Sequence, residues 1–197
     1  MKTFLLTAIL VSVTFLSNAQ NLSGYLDSLK EHRFKYVNTH EVVKSQEERK
    51  LIQFFDVDTA FKVVATFEKI NDVTGFKMPT SQKSIQRYYR YGKIHFTING
   101  TPLHLFIYQS IDMLYTDDYK DYLFIPFTDA TNGSTTYEGG RYIDILIKDI
   151  VDNTVTIDFN KAYNPYCCYA SGYHCPIPPK ENDLNFSIKA GEKKFKK

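Results

Sequence analysis

The stretch Ile94-His-Phe-Thr-Ile-Asn-Gly-Thr-Pro-Leu-His-Leu-Phe-Ile107 decides the fold class. Ile94, Phe96 and Ile98 alternate with His95 and Thr97, the period of two expected of a strand with one buried face. Asn99-Gly100 then supplies the residues that a two-residue type I′ turn demands, because both central positions need positive φ. Leu103, Leu105 and Ile107 resume the alternation, so the stretch reads as a β-hairpin. A two-residue loop pairs Ile98 with Thr101, and therefore His95 with His104. Directly opposed side chains carry Cβ atoms about 5 Å apart. Two imidazoles at that spacing are a candidate metal pair, but no third ligand accompanies them in the sequence. The expectation is two histidines on a polar sheet face with no metal bound.

The same period extends on both sides. Phe61, Val63, Ala65 and Phe67 alternate with Lys62, Val64, Thr66 and Glu68. Further strands are expected over Tyr122–Phe127, Arg141–Lys148, Thr154–Phe159 and Asp183–Ile188. Ahead of them, Leu22, Tyr25, Leu26 and Leu29 recur at helical spacing, predicting an amphipathic helix from Leu22 to about Tyr36. Ser45 followed by Glu48 is a capping box for a second, short helix reaching Ile52. Strands separated by turn signals rather than helices predict a mostly β protein. The expected architecture is an antiparallel β-barrel or sandwich, with one or two N-terminal helices packed outside.

The N-terminus reads as a leader. Lys2 precedes an apolar run from Phe4 to Leu16, too short to span a bilayer comfortably, and Ser17 and Ala19 are small residues before a cut after Ala19. This divides the chain into a signal peptide (1–19), a helical segment (20–53) and a β domain (54–197), and it predicts a secreted or periplasmic protein. The formal net charge is +2, too nearly balanced for a nucleic-acid partner, and no other segment is apolar enough to cross a membrane. Phe and Tyr number 15 each, an aromatic enrichment that favours strands.

The polar residues concentrate in the C-terminal third. Arg141 offers a planar fork of donors suited to a carboxylate. Asp158 and Asn160 lie on the strand face opposite Ile157 and Phe159. Asp129, Thr131, Thr136 and Tyr137 sit in the long Thr128–Gly140 loop, and Tyr163 and Asn164 follow the strand. These nine residues are the candidate ligand-binding set, with Arg141 and Asp158 expected to pair at one end of two neighbouring antiparallel strands. The other reading is a structural network in which Asn and Asp satisfy loop backbone and Arg141 pins the loop. The sequence holds no Gly-x-Ser-x-Gly elbow, His-Glu-x-x-His pair or phosphate-cradling Gly loop, so no catalytic residue and no cofactor is assigned. Asp129 with Asp158 is a weak candidate for an acid/base pair. Cys175 is expected to form a disulfide with Cys167 or Cys168, since adjacent cysteines close only a strained ring. Cys-Cys-x6-Cys with His174 lacks the Cys-x-x-Cys spacing of a strong zinc site.

Five runs occur in order: Phe127-Thr-Asp-Ala-Thr-Asn-Gly, Thr136-Tyr-Glu-Gly-Gly-Arg141, Asp158-Phe-Asn-Lys-Ala-Tyr-Asn-Pro165, Cys175-Pro-Ile-Pro-Pro-Lys-Glu-Asn182 and Ala190-Gly-Glu-Lys193. Together they resemble the family catalogued as domain of unknown function 1684. The likeness is strong from about Phe127 to Lys193 and extends more weakly back to Phe54, through Phe76-Lys-Met-Pro79 and Tyr108-Gln-Ser110. The resemblance implies that the first cysteine after Asn164-Pro165 is the paired one, which selects Cys167–Cys175 and leaves Cys168 over. The family carries no assigned activity. The expectation is an extracytoplasmic binding or envelope-associated module for a small polar ligand. The alternatives are a hydrolase using the Asp129, Arg141 and Asp158 group, or a structural partner of another envelope protein.

The exported protein is expected to begin at Gln20. Intact mass of material from the natural envelope fraction checks this, and a mass retaining residues 1–19 would overturn it.

Overall fold

A computed structural model of the chain describes the backbone of residues 3–196 and the side chains of residues 21–196. The leader expected over residues 1–19 lies outside the residues whose side chains are described. The chain divides into two compact units, Met1–His40 and Glu41–Lys197. The first is the helix α1 (Thr3–Asn38), which contains the run expected to be helical. Its last turn is closed by side chains: Asn38 Nδ2 donates to Phe34 O at 2.8 Å and Thr39 Oγ1 to Lys35 O at 2.9 Å. The Lys35 carbonyl also accepts from Thr39 N at 2.9 Å. Among the described residues no helix is long and apolar enough to cross a membrane.

The second unit opens with α2 (Gln46–Arg49), where Ser45 Oγ accepts from Glu48 N at 3.2 Å as the capping box requires. The helix is a single turn and stops short of Ile52. The remainder is mostly antiparallel β: β1 (Lys62–Lys69), β2 (Phe76–Pro79), β3 (Ile85–Ile98), β4 (Thr101–Ser110), β5 (Tyr122–Asp129), β6 (Arg141–Leu146), β7 (Thr154–Asp158) and β8 (Asp183–Leu184). They form one curled eight-stranded sheet, a half-barrel, in the order β6-β5-β4-β3-β1-β7, with β2 on β3 and β8 on β5. The hairpin read from the sequence is β3–β4, with Ile98↔Thr101 and His95↔His104 in register. Asn99 and Gly100 both have positive φ, at 49° and 80°.

Four sequence expectations are corrected. β6 and β7 are not neighbours but the two edges of the sheet path, because β7 pairs with β1 (Val63↔Ile157, Ala65↔Val155). A 3₁₀ turn at Ile147–Asp149 ends β6 before Lys148, and a tight turn with positive φ at Asp152 and Asn153 starts β7. The expected strand to Ile188 is a two-residue pairing, and it runs parallel to β5. β3 starts nine residues earlier than its alternation suggested, because a bulge between Arg90 and Gly92 breaks the period. At Gly92 an added Cβ would stand 2.2 Å from the Phe67 ring, so the bulged strand passes where only glycine fits.

The curl gives the sheet an inner and an outer apolar face. The inner core takes Val63, Ala65, Ile94, Ile107, Ile125, Ile143 and Ile157 from six strands, so edge strands β6 and β7 share it. Each buried aliphatic there contributes roughly 1.5–3 kcal/mol. The outer cluster is aromatic: Met78, Tyr88, Tyr108, Phe124 and Tyr142. The bulge matters here, because it shifts the phase of β3 so that Tyr88 joins Tyr108 on the outer face while Ile94 stays inside.

Between β4 and β5 a side chain substitutes for strand pairing. Buried Asn182 accepts from Phe106 N at 2.7 Å and donates Nδ2 to Phe106 O at 2.9 Å and Pro126 O at 2.7 Å. Asn182→Ala leaves these three backbone groups unpaired and is expected to cost about 2–4 kcal/mol. Urea unfolding checks this against Asn185→Ala, at an exposed position, which should leave the midpoint unchanged.

Candidate functional site

Arg141, the first residue of β6, points into the inner core and is 0% exposed. Its Nη2 donates to Asp129 Oδ2 at 2.7 Å and to Ile188 O at 2.8 Å, while Nη1 reaches Ala190 O and, at 3.4 Å, Glu192 O. Asp129 is equally enclosed. Its Oδ1 accepts from Thr131 N at 2.8 Å, Thr131 Oγ1 at 2.6 Å and Ile188 N at 3.3 Å. Thr131 Oγ1 in turn meets Thr136 Oγ1 at 2.8 Å. Burial pushes the guanidinium pKa down, and the Asp129 carboxylate beside it, with Glu192 further off, opposes the shift. A charge in this setting persists only because it is paired and hydrogen-bonded.

The structure therefore brings together four of the nine residues singled out from sequence: Asp129, Thr131, Thr136 and Arg141. The carboxylate partner of Arg141 is Asp129. Asp158 stands at the other edge of the sheet, where its Oδ1 accepts from Asn160 N at 3.1 Å and caps a 3₁₀ turn. Asn160 ties that turn to Asp58, donating to its carbonyl at 2.9 Å and accepting from its N–H at 3.2 Å. Asn164 N donates to buried Glu192 Oε2 at 2.9 Å, and Tyr169 OH donates to Glu192 Oε1. Tyr137 lies half-buried against Gly139, its carbonyl accepting from Asn132 Nδ2. Tyr163 faces outward, away from this group.

Cys167 and Cys175 sit at disulfide distance, with Cα atoms 6.3 Å apart. Cys168 is free and burial pushes its thiol up to about 12, which leaves it protonated and unreactive. The His95 and His104 rings are 6.2 Å apart, and His95 Nε2 lies 3.6 Å from Glu68 Oε2. Burial, with Lys93 and His95, pushes His104 down. Among the described residues no group of His, Cys, Asp or Glu is arranged to hold a metal.

A second constellation escaped the sequence reading. On the outer face of β6, Asp144 is exposed to solvent yet ringed by tyrosines. Tyr163 OH donates to its Oδ2 at 2.8 Å, and Tyr122 flanks the same carboxyl. Tyr142 and Tyr163 stand edge to face at 5.8 Å, Phe124 and Tyr142 at 4.7 Å, and Tyr88 stacks on Phe124 at 5.8 Å. Crowding by these rings pushes the Asp144 carboxyl up, against the Tyr122 and Tyr163 hydroxyls, which hold it down. At the far side Arg90 Nε donates to Glu181 Oε1 at 2.8 Å, and Tyr108 OH donates to the same oxygen. The signal was present in the alternation: Ile143 and Ile145 face inward, so Asp144 and Tyr142 must face outward.

The Arg141 pair has a testable energetic signature. Arg141→Met strands the Asp129 carboxylate in the core and is expected to destabilise the fold by about 3–5 kcal/mol. Adding Asp129→Asn should recover part of that loss, because the stranded charge is removed. A double-mutant cycle by urea unfolding checks this, and additive single effects would contradict it.

The family described as protein of unknown function (DUF1684) matches residues 48–193. The solution NMR structure of an uncharacterized protein of Haloarcula marismortui is similar, at 28% identity and a TM-score of 0.66, over 90% of this chain and 96% of that one. No curated protein matches the chain. With Arg141, the Asp158–Pro165 run, Asn182 and Glu192 all holding the half-barrel together, and with the match spanning most of its length, the chain belongs to the DUF1684 family.

Proposed function

We propose that this chain is an extracytoplasmic binding module whose ligand seat is the tyrosine-lined recess around Asp144 on the outer sheet face. The observation that carries this reading is a carboxylate that is open to solvent and still pushed up by the rings around it. An accessible carboxylate flanked by two phenol hydroxyls presents a charge and hydrogen-bonding groups that a small polar ligand can use. Tyr163, from the set expected by sequence, belongs to this recess. The buried Asp129, Thr131, Thr136 and Arg141 group, with Asn164, serves it indirectly by fixing the C-terminal tail. The leader-like N-terminus and the Cys167–Cys175 pair support an oxidising, extracytoplasmic setting.

The Asp144 shift gives a signed test. A carboxyl whose folded pKa is raised contributes stability that is complete below its unfolded pKa and is lost as pH rises through the folded pKa. At pH 7 Asp144→Asn is therefore expected to melt at or above the parent, with the gap closing as pH falls into the ordinary carboxylate range. A melt at or above the parent identifies the variant as folded and fit for a thermal-shift screen of sugars, carboxylates and organic amines. A ligand at a hundred times its Kd adds about 2.7 kcal/mol to the parent. The expected outcome is a hit on the parent that Asp144→Asn weakens. Absence of any hit across the three classes would overturn the reading.

A further inference from the structure

We propose that the ligand of this recess is an organic ammonium ion, seated against Asp144 beside the partly exposed Tyr122 and Tyr163 rings. The inference rests on the recess being the ligand seat and adds the ligand's charge and chemistry.

Among the described residues no Lys, Arg or His lies within ion-pair distance of Asp144, whose partners are the phenols of Tyr163 and Tyr122. The nearby guanidinium of Arg90 is committed elsewhere. It is bonded to Glu181 at 2.8 and 3.4 Å and lies 4.3 Å over the Phe76 ring. The recess thus holds an anion without its cation. Arg141 and Asp129, on the inner face of the same strands, show how this fold treats a charge when it supplies both partners itself.

The rings meet at angles rather than in one plane: 86° between Tyr142 and Tyr163, 69° between Phe124 and Tyr142, and 25° between Tyr88 and Phe124. Phe124, Tyr142 and Tyr88 are buried behind the partly exposed Tyr122 and Tyr163 rings that flank Asp144, and a ring face carries the negative part of its quadrupole. A cation within about 6 Å of such faces is attracted by each of them, and a carboxylate among them adds a full charge. A quaternary or alkylated ammonium also suits the occupied hydrogen-bonding state of Asp144, since it needs no further acceptor.

The approach has the same sign. The segment between β4 and β5 carries Asp112, Asp117, Asp118 and Asp121, of which Asp117 pairs with Lys120 at 3.3 Å and Asp112 with Arg87 at 3.7 Å. Asp112 lies near enough to raise the Tyr88 phenol pKa, and Asp121 O accepts from Ile147 N at 2.9 Å at the end of β6. With two of its four carboxylates paired, the segment still carries a net negative charge, which raises the local concentration of cations and repels anionic ligands.

The test compares choline with 3,3-dimethylbutan-1-ol, which keeps its shape without its charge, and with glucose and acetate. Binding is measured by calorimetry at low ionic strength on the parent, on Asp144→Asn and on Asp118→Asn. Choline is expected to bind the parent at least tenfold more tightly than the neutral isostere. Asp144→Asn should lose at least tenfold, and Asp118→Asn should change less than threefold. Equal binding of the neutral isostere, or a preference for glucose or acetate that Asp144→Asn abolishes, overturns the cation inference and leaves the recess as the seat. Choline binding indifferent to Asp144→Asn, or no binding by any probe, overturns both.

Discussion

A single guanidinium organises the far end of this chain. Arg141 enters the core as the first residue of β6 and meets Asp129 at the end of β5, so its first task is to hold two adjacent strands at the mouth of the Thr128–Gly140 loop. Its Nη1 and Nη2 also reach the carbonyls of Ile188, Ala190 and Glu192, in a segment outside the named strands, while its buried Nε has no hydrogen-bond partner. A backbone inside a protein must find partners for its polar groups. Here a side chain supplies what a ladder would have supplied. Removing Arg141 therefore exposes a carboxylate, a loop and a tail to unsatisfied burial together.

The tail it holds reaches most of the unit. Gly191 O accepts from Phe55 N at 2.9 Å, Glu192 N donates to Ala162 O at 2.8 Å, and Lys194 N donates to Thr135 O at 2.9 Å. Gly191 has φ of 75°, and an added Cβ would stand 2.6 Å from the carbonyl oxygens of Phe159 and Ala162. The Ala190-Gly-Glu-Lys193 run is thus a close crossing of backbone over the β7 turn, with Glu192 turned in to meet Asn164 and Tyr169. Asn182 does the same work between β4 and β5. In this chain Arg141, Asn182 and Glu192 supply hydrogen bonds where regular strand pairing is absent.

This division of labour leaves the chemistry elsewhere. The inner face is closed by apolar side chains and the buried Arg141–Asp129 ion pair. The outer face keeps an accessible carboxylate among tyrosine rings, and the bulge in β3 is what brings Tyr88 there. A polar cluster read from sequence attracts attention because its residues are unusual for strands. In the folded chain those residues are mostly consumed by backbone, and the group left open to solvent is Asp144, which looks ordinary in a strand of isoleucines.

Sequence by itself determined what depends on neighbours along the chain. The Asn99-Gly100 hairpin, the register that opposes His95 and His104, the Ser45 cap and the alternation of β1, β6 and β7 follow from local steric and hydrophobic periodicity. The choice of Cys167 over Cys168 came from the family likeness. Tertiary structure alone decided which strands meet. The short Asp149–Asn153 connection suggested that β6 and β7 are neighbours, yet the curl of the sheet sets them at its two edges, sharing a core without sharing hydrogen bonds. It also decided that Arg141 pairs with Asp129 rather than Asp158, and that Asp144 lies among rings drawn from β3, β5, β6 and the segment after β7. Periodicity reports which face a side chain occupies. The partners on that face are set by long-range packing, which no local window of sequence contains.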